Sequence, residues 1–350
     1  QSLFKEGDNL CWNDPGERET MLREFARLAS AYGDLVDHIV VHVGDPGGCN
    51  RNGCDPYKTT QEIAVALREA YRAQNPKVTA TLSTWANEGF WAGHGDAKFL
   101  DETYSPRDLG IALHRWYDAD KAGLVVASGR PLDIWSWYMA DFEMVLDSTP
   151  LMRRLDKYFS GLPKEAAGQV RALSTEQCFH GLPHVINAYV SGRKMWDPYA
   201  DLGEIEREFC AGTFGDENAE AMLKAYRAWE EYVHADRYYG FIPASDASPE
   251  VFGTAAYNAR VREALEGLKS VDLPAGFRGR LTSSADPRAM KEYIERNLRL
   301  IRIASEAYER TASAASEPEK SRIRDEAMER LAPYRGDFDY ESLVARLKPS

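Results

Sequence analysis

The sequence lacks the features that mark several whole classes of protein. No apolar run approaches the ~18 consecutive residues that a membrane-spanning helix needs. Basic residues are outnumbered, 43 Lys and Arg against 55 Asp and Glu, which leaves a formal net charge of −12. General nucleic-acid binding requires a basic face, so this balance argues against such a partner. We therefore expect neither a membrane-spanning chain nor a nucleic-acid-binding one.

Cysteines and cofactor motifs are also scarce. The chain has five cysteines, of which Cys49 and Cys54 form the only close pair in sequence. Two thiols without an obvious third ligand are weak evidence for zinc, so a disulfide or two thiols is the better interpretation. No Gly-x-Gly-x-x-Gly follows a first predicted strand, which removes the signature of dinucleotide binding. We therefore predict no metal and no cofactor.

Residues 1–200 alternate short apolar segments with helical patterns. Strands are predicted at residues 10–12, 39–43, 78–85, 110–117, 133–138 and 170–175. Asp14-Pro15 predicts one helix start, and Thr149-Pro150 predicts another. Thr59 and Glu62 have the spacing of a capping box. Strands separated by helices indicate parallel pairing, since a parallel return needs a crossover.

This pattern predicts an α/β fold, a (β/α)8 TIM-type barrel in residues 1–200. About six strands are visible where a closed barrel needs eight, and the chain begins at Gln1. We therefore expect the first one or two β/α units to lie outside this chain. An open, doubly wound sheet is the competing fold. Residues 201–350 predict a helical accessory domain, with helices at residues 203–209, 218–235, 249–268, 287–312 and 318–331.

Two carboxylates follow predicted strands, where barrel enzymes place their active sites. Asp45 comes after residues 39–43, within a glycine-rich turn, and Glu176 comes directly after residues 170–175. We take them as the catalytic pair, with Glu88, Asp133 and Asp141 in reserve. The structural alternatives are an Asp45 that only holds its turn and a Glu176 that only pairs with an arginine.

Aromatic and polar side chains cluster in the same segments. Alternation along the strand at residues 133–138 puts Asp133, Trp135 and Trp137 on one face. Two tryptophans at a barrel mouth suit the stacking of sugar rings. The predicted substrate-binding residues are Trp85, Glu88, His114, Arg115, Asp133, Trp135, Trp137, Tyr138 and His180.

Carboxylates surrounded by tryptophan and tyrosine are the composition that a glycosidase needs. One carboxylic acid protonates the leaving oxygen, and a second attacks the sugar or activates water. Asp45 is the better general acid, because apolar surroundings raise the pKa of a carboxyl group. The alternatives are a carbohydrate-binding barrel without catalysis and a polysaccharide lyase, for which Tyr138, His180 and Arg115 are available.

Several of these segments, in this order, resemble a known layout across roughly residues 10–235. They are Cys11-Trp12-Asn13-Asp14-Pro15, Gly44-Asp45-Pro46-Gly47-Gly48-Cys49 with Cys54, Asp133-Ile134-Trp135-Ser136-Trp137-Tyr138, Ser174-Thr175-Glu176, and residues 187–198, which end in Trp196-Asp197-Pro198. The layout is similar to glycoside-hydrolase-like barrels related to family 67 α-glucuronidases and family 20 hexosaminidases. The best match is a bacterial group with a Glu on the last strand, a helix that ends in Trp-Asp-Pro and a helical domain.

The resemblance implies a (β/α)8 catalytic domain that acts on carbohydrate from a chain end, in polysaccharide degradation. One departure is that Asp45-Pro46 stands in place of the adjacent Asp-Glu pair of family 20. Substrate-assisted hexosaminidase chemistry is therefore not implied. A periplasmic or secreted location is favoured, because a leader removed before Gln1 and a polymeric substrate both suit it.

Overall fold

The chain divides into two compact units. The computed structural model describes residues 10–41, 52–54, 56–83, 106–113, 119–136, 150–162, 164–175, 184–236, 251–281, 286–337 and 340–347. One unit comprises Gln1–Trp137 and Gly161–Glu176, and the other comprises Tyr138–Ser160 and Gln177–Ser350. The expected domains, residues 1–200 and 201–350, stay a prediction.

The first unit is an α/β structure built around a parallel sheet. In the described residues its strands are β1 (His38–Val41), β2 (Thr79–Ser83), β3 (Leu109–Leu113), β4 (Leu132–Ser136) and β5 (Val170–Thr175). Its helices are α1 (Pro15–Tyr32), α2 (Pro56–Arg72), α3 (Ala119–Ala127) and the short α5 (Lys164–Ala167). Five of the predicted strands are thus confirmed, β5 at its predicted bounds and the other four with shifted ends.

The five strands are hydrogen-bonded in the order β1-β2-β3-β4-β5, all in parallel. A doubly wound sheet reverses its strand order at a switch point, and the described strands have no such reversal. Right-handed crossovers between successive neighbours all return on the same side of the sheet. Among the described residues of this unit, the topology therefore leaves the helices on one face of the sheet and the other face without them.

Side chains alternate between these two faces. Ala80, Leu82 and Ile111 are fully buried apolar residues, and Ile39 packs against the cluster of Ala29, Tyr71 and Val78 beneath α1 and α2. The residues that alternate with them along the strands, such as Thr81 and Gly110, point to the other face, as the pleat of a strand requires.

Two local predictions in this unit are wrong, and one helix start is confirmed. Residues 10–12 form no strand; Cys11 and Trp12 are buried ahead of α1, and the Trp12 indole N–H donates to Glu62 at 2.9 Å. Helix α2 begins at Pro56, so Thr59 lies inside it and no capping box forms there. The side chain of Asp14 does cap α1, accepting the N–H groups of Gly16 and Glu17.

Cys54 lies beside a cysteine that is distant in sequence. Its Sγ is 3.4 Å from the Sγ of Cys11. Cys49 lies outside the described residues, so its expected relation to Cys54 stays a prediction.

In the second unit the described residues form helices joined by turns and irregular segments, and no strand. Its helices are α4 (Met152–Ser160), α6 (His184–Trp196), α7 (Leu202–Phe214), α8 (Ala219–Asp236), α9 (Ala255–Lys269), α10 (Pro287–Ser313), α11 (Glu317–Leu331) and α12 (Tyr340–Leu347). Helix α4 begins two residues after Pro150, and α9 begins at Ala255 rather than at residue 249. The short α12 had no sequence prediction.

Candidate functional site

A charged cluster lies on the helix-free face of the sheet, and it contains Asp133, one of the predicted site residues. Asp133 lies near the start of β4 and is buried. Its carboxylate accepts two hydrogen bonds from the guanidinium of Arg171 on β5, at 3.1 and 2.7 Å. It also accepts the hydroxyl of Thr81 on β2, and the Nε2 atom of His38 on β1 is 3.1 Å away. One carboxylate therefore connects four strands.

Gly110 on β3 makes room for these contacts. A Cβ atom at this position would lie 2.8 Å from Thr81 Oγ1 and 3.1 Å from the Arg171 Nη2 atom. Because glycine has no Cβ, the side chains of Thr81 and Arg171 meet over the middle strand.

The electrostatics of the cluster fix the charge of Asp133. Burial by itself raises the pKa of this carboxyl group, but hydrogen bonds from His38, Arg171 and Thr81 outweigh it and lower the pKa to about 2. A group with that pKa has no proton to donate at neutral pH, so Asp133 does not suit the role of general acid. Its part in substrate binding stays a prediction.

The cluster also shows that the sheet curves. Four interstrand spacings of about 4.8 Å would put β1 and β5 about 19 Å apart in a flat sheet. Yet the Nε2 atom of His38 and the Nη2 atom of Arg171 are only 3.5 Å apart. A histidine and an arginine together cannot bridge a flat sheet of that width, so the strands bend around the cluster with this face on the inside.

The other predicted site residues lie outside what the structure describes. They are Asp45, Trp85, Glu88, His114, Arg115, Trp137, Tyr138, Glu176 and His180; Asp141 is outside as well, and of Trp135 only the backbone is described. The structure does describe the strands that precede them. Because all five strands are parallel, the chain leaves every strand at the same edge of the sheet.

Sequence reasoning missed His38, Thr81 and Arg171 as partners of Asp133. A weak signal was present, because each is a polar residue within or beside an apolar strand. The contacts join residues 38 to 133 positions apart, so only the register of the sheet reveals them.

The described residues contain neither a metal-binding group of side chains nor a membrane-spanning helix. Among the described residues, no group of three or more His, Cys, Asp and Glu side chains is placed to hold a metal ion. In the same part of the chain, no helix is both long enough and apolar enough to cross a membrane.

The fold is of a type found in glycoside hydrolases. A mutant of the O-GlcNAc hydrolase of Thermobaculum terrenum superposes with a TM-score of 0.59 at 12% identity, over 97% of this chain and 76% of that one. No protein-family model matches this sequence. No curated protein matches it either.

Family 89 glycoside hydrolase from Clostridium perfringens is a second structural neighbour. In complex with its substrate GlcNAc-α-1,4-galactose, it matches with a TM-score of 0.52 at 12% identity, over 91% of this chain. In complex with PUGNAc, it matches with a TM-score of 0.51 at 11% identity. This chain spans 36% of the length of the family 89 chain. At these identities the likeness is one of fold, and the narrower relation to families 67 and 20 remains a prediction.

Proposed function

We propose that this chain is a glycoside hydrolase with a (β/α)8 catalytic barrel, which removes sugar from the end of an oligo- or polysaccharide. The observation that carries the proposal is the parallel sheet, in unbroken chain order and curved around its helix-free face. An arc of this kind is what a barrel wall requires. The fold of the glycoside hydrolases above supports the same conclusion.

Chain connectivity supports Asp45 and Glu176 as the catalytic pair. Glu176 is bonded to Thr175, the last residue of β5, and Asp45 comes four residues after Val41, the last residue of β1. Four residues span at most about 14 Å. Both carboxylates are thus tethered to the same edge of the sheet, and its curvature shortens the distance between β1 and β5.

In the proposed reaction Asp45 protonates the leaving glycosidic oxygen. Glu176 either attacks the anomeric carbon or activates water, depending on whether the carboxyl groups lie about 5 Å or about 6.5–9.5 Å apart. Trp85, Trp135, Trp137 and Tyr138 form the walls of the sugar pocket in this proposal. Its polar contacts come from Glu88, His114, Arg115 and His180.

The structural neighbours suggest which sugar to test first. One is named as an O-GlcNAc hydrolase, and another holds a substrate with GlcNAc at one end. We propose a terminal N-acetylglucosaminide as the first candidate substrate, with either anomeric configuration.

The test is release of the aryl group from α- and β-linked aryl N-acetylglucosaminides, followed by a wider panel of aryl glycosides. Asp45→Asn and Glu176→Gln should each lower kcat at least about 100-fold, since each removes an acid–base or nucleophilic group. Glu19→Gln removes a carboxylate that is exposed on α1 and should leave kcat unchanged. Full activity in both site variants would contradict the assignment.

The same experiments separate the alternatives. Glycan binding without any release of reducing ends would indicate a binding barrel. Products that absorb in the ultraviolet because they are unsaturated would indicate a lyase.

A further inference from the structure

The helical unit contains a cavity of about 350 Å³ between α10, α11 and α12. Three of its lining side chains are cationic: Lys320 and Arg324 from α11, and Arg346 from α12. Helix α10 contributes Tyr308 and Thr311. This cavity is far in sequence from the predicted catalytic residues and has its own chemistry.

The convergence of positive charge is unusual for this chain, whose net charge is −12. Lys320 and Arg324 are four residues apart on one helix, a spacing at which like charges repel. Lys320 pairs with Glu317 at 2.7 Å, so one carboxylate offsets part of the charge. Within the described residues Arg324 forms neither an ion pair nor a hydrogen bond, so its guanidinium is available to a ligand.

Arg346 is held at the cavity by its surroundings. Its guanidinium lies 4.5 Å from the centre of the Phe252 ring, a cation–π contact that fixes its position. Burial lowers the pKa of Arg346, which means that its charge is partly stripped of water.

Two neutral groups complete the lining. The Oγ1 atom of Thr311 is shielded from solvent and has no hydrogen-bond partner in the described part of the chain. The ring of Tyr308 is 37% exposed and lies 5.6 Å from that of Phe252, centre to centre. The cavity thus combines cationic donors with an aromatic surface.

We propose that this cavity binds a small molecule that carries a phosphate or sulfate ester, with Lys320, Arg324 and Arg346 around the tetrahedral anion and Tyr308 against its carbon skeleton. Guanidinium groups match the oxygens of such anions closely. The volume is in the range of small-molecule sites and exceeds what a free inorganic ion would fill. This inference does not depend on the proposed hydrolase activity.

The test is calorimetric titration of the full chain at constant ionic strength with glucose 6-phosphate, inorganic phosphate and glucose. We expect saturable one-to-one binding of the ester and weaker binding of the inorganic ion. Arg324→Gln should weaken ester binding about tenfold or more, since one charge-assisted contact is lost. Arg324→Lys keeps the charge but not the planar guanidinium, so it should restore only part of the affinity.

The matched control is Arg322→Gln, which makes the same charge change on the same helix at an exposed arginine outside the cavity lining. It should leave the affinity unchanged. The proposal is overturned if none of the three probes binds saturably, or if Arg324→Gln and Arg322→Gln affect binding equally. Equal affinity for inorganic phosphate and the ester would overturn the assignment of an ester ligand.

Discussion

The two units of this chain are stabilised in different ways. On its inner face the sheet depends on one charged cluster, in which Asp133 joins strands far apart in sequence. The helical unit depends on a distributed apolar core, with Phe209, Phe214 and Tyr226 in mutual ring contact and Trp229 fully buried. We therefore expect the stability of the sheet to respond to changes of charge and pH, and the stability of the helical unit to respond to the loss of buried side-chain volume.

We expect the largest loss of stability when a cavity is made in the core of the helical unit. Trp229→Ala removes a fully buried side chain and should lower the free energy of unfolding by about 3–5 kcal/mol. Trp196→Ala is the matched control, because Trp196 is 90% exposed, and it should change stability by less than about 0.5 kcal/mol. Urea denaturation of both variants measures the difference, and similar losses would contradict the role of the distributed core.

The next effect tests the charged cluster. Asp133→Asn should cost about 2–4 kcal/mol, because it leaves Arg171 without its buried partner. Asp216→Asn, the same change at an exposed carboxylate that pairs with the exposed Arg280, should cost less than about 1 kcal/mol. Denaturation midpoints that move equally would show that the cluster is no more important than a surface ion pair.

The same substitution predicts a pH dependence. The folded-state pKa of Asp133, about 2, is below the ordinary value of 3.8. Its stabilising contribution is therefore complete above about pH 4 and is lost as the pH falls towards 2. In Asp133→Asn this component of the acid-induced loss should be absent, whereas an unchanged acid limb would contradict the pairing.

A smaller effect is expected from crowding at the middle strand. Gly110→Ala places a Cβ 3.1 Å from the carbonyl oxygen of Pro131 as well as against Thr81, and should cost about 1–3 kcal/mol. Gly123→Ala is the control, because nothing lies within 4 Å of the added atom in helix α3, and it should be neutral or stabilising. If Gly110→Ala left the free energy of unfolding unchanged, the side chains of Thr81 and Arg171 could move aside for the added methyl group.

The smallest effect concerns a helix start in the helical unit. The hydroxyl of Thr254 accepts the N–H of Tyr257 at the beginning of α9. Thr254→Ala should cost about 1 kcal/mol, and Thr254→Ser should restore most of it. Thermal denaturation measures both, and equal midpoints would show that the cap contributes little.

The helical unit was predicted more completely than the sheet unit because its signals are local. Helix α10 was expected at residues 287–312 and is observed at Pro287–Ser313. Its apolar period lies within the helix itself, and its capping residue, Asp286, directly precedes it. The strand at Val170–Thr175 was likewise predicted at its observed bounds. At α2 only the predicted capping box failed, because the helix begins at Pro56 and Glu62 interacts with the distant Trp12.

The sequence predicted which residues of the candidate site lie on or after each strand, but not which of them are in contact. Sequence alternation showed that Asp133 shares a face with Trp135, but the approach of Arg171 depends on the curvature of the whole sheet. A polar contact between distant strands leaves no periodic trace in the sequence. The catalytic assignment of Asp45 and Glu176 stays a prediction, and kinetics of the two variants will decide it.

The position of the charged cluster has a consequence for how such a chain can evolve. His38, Thr81, Asp133 and Arg171 all lie within the first three residues of their strands. The segments beyond the strands are therefore not needed to keep these residues together. Those segments can therefore lengthen, shorten or be replaced one at a time during evolution, and so change what the molecule binds, while the same scaffold is inherited.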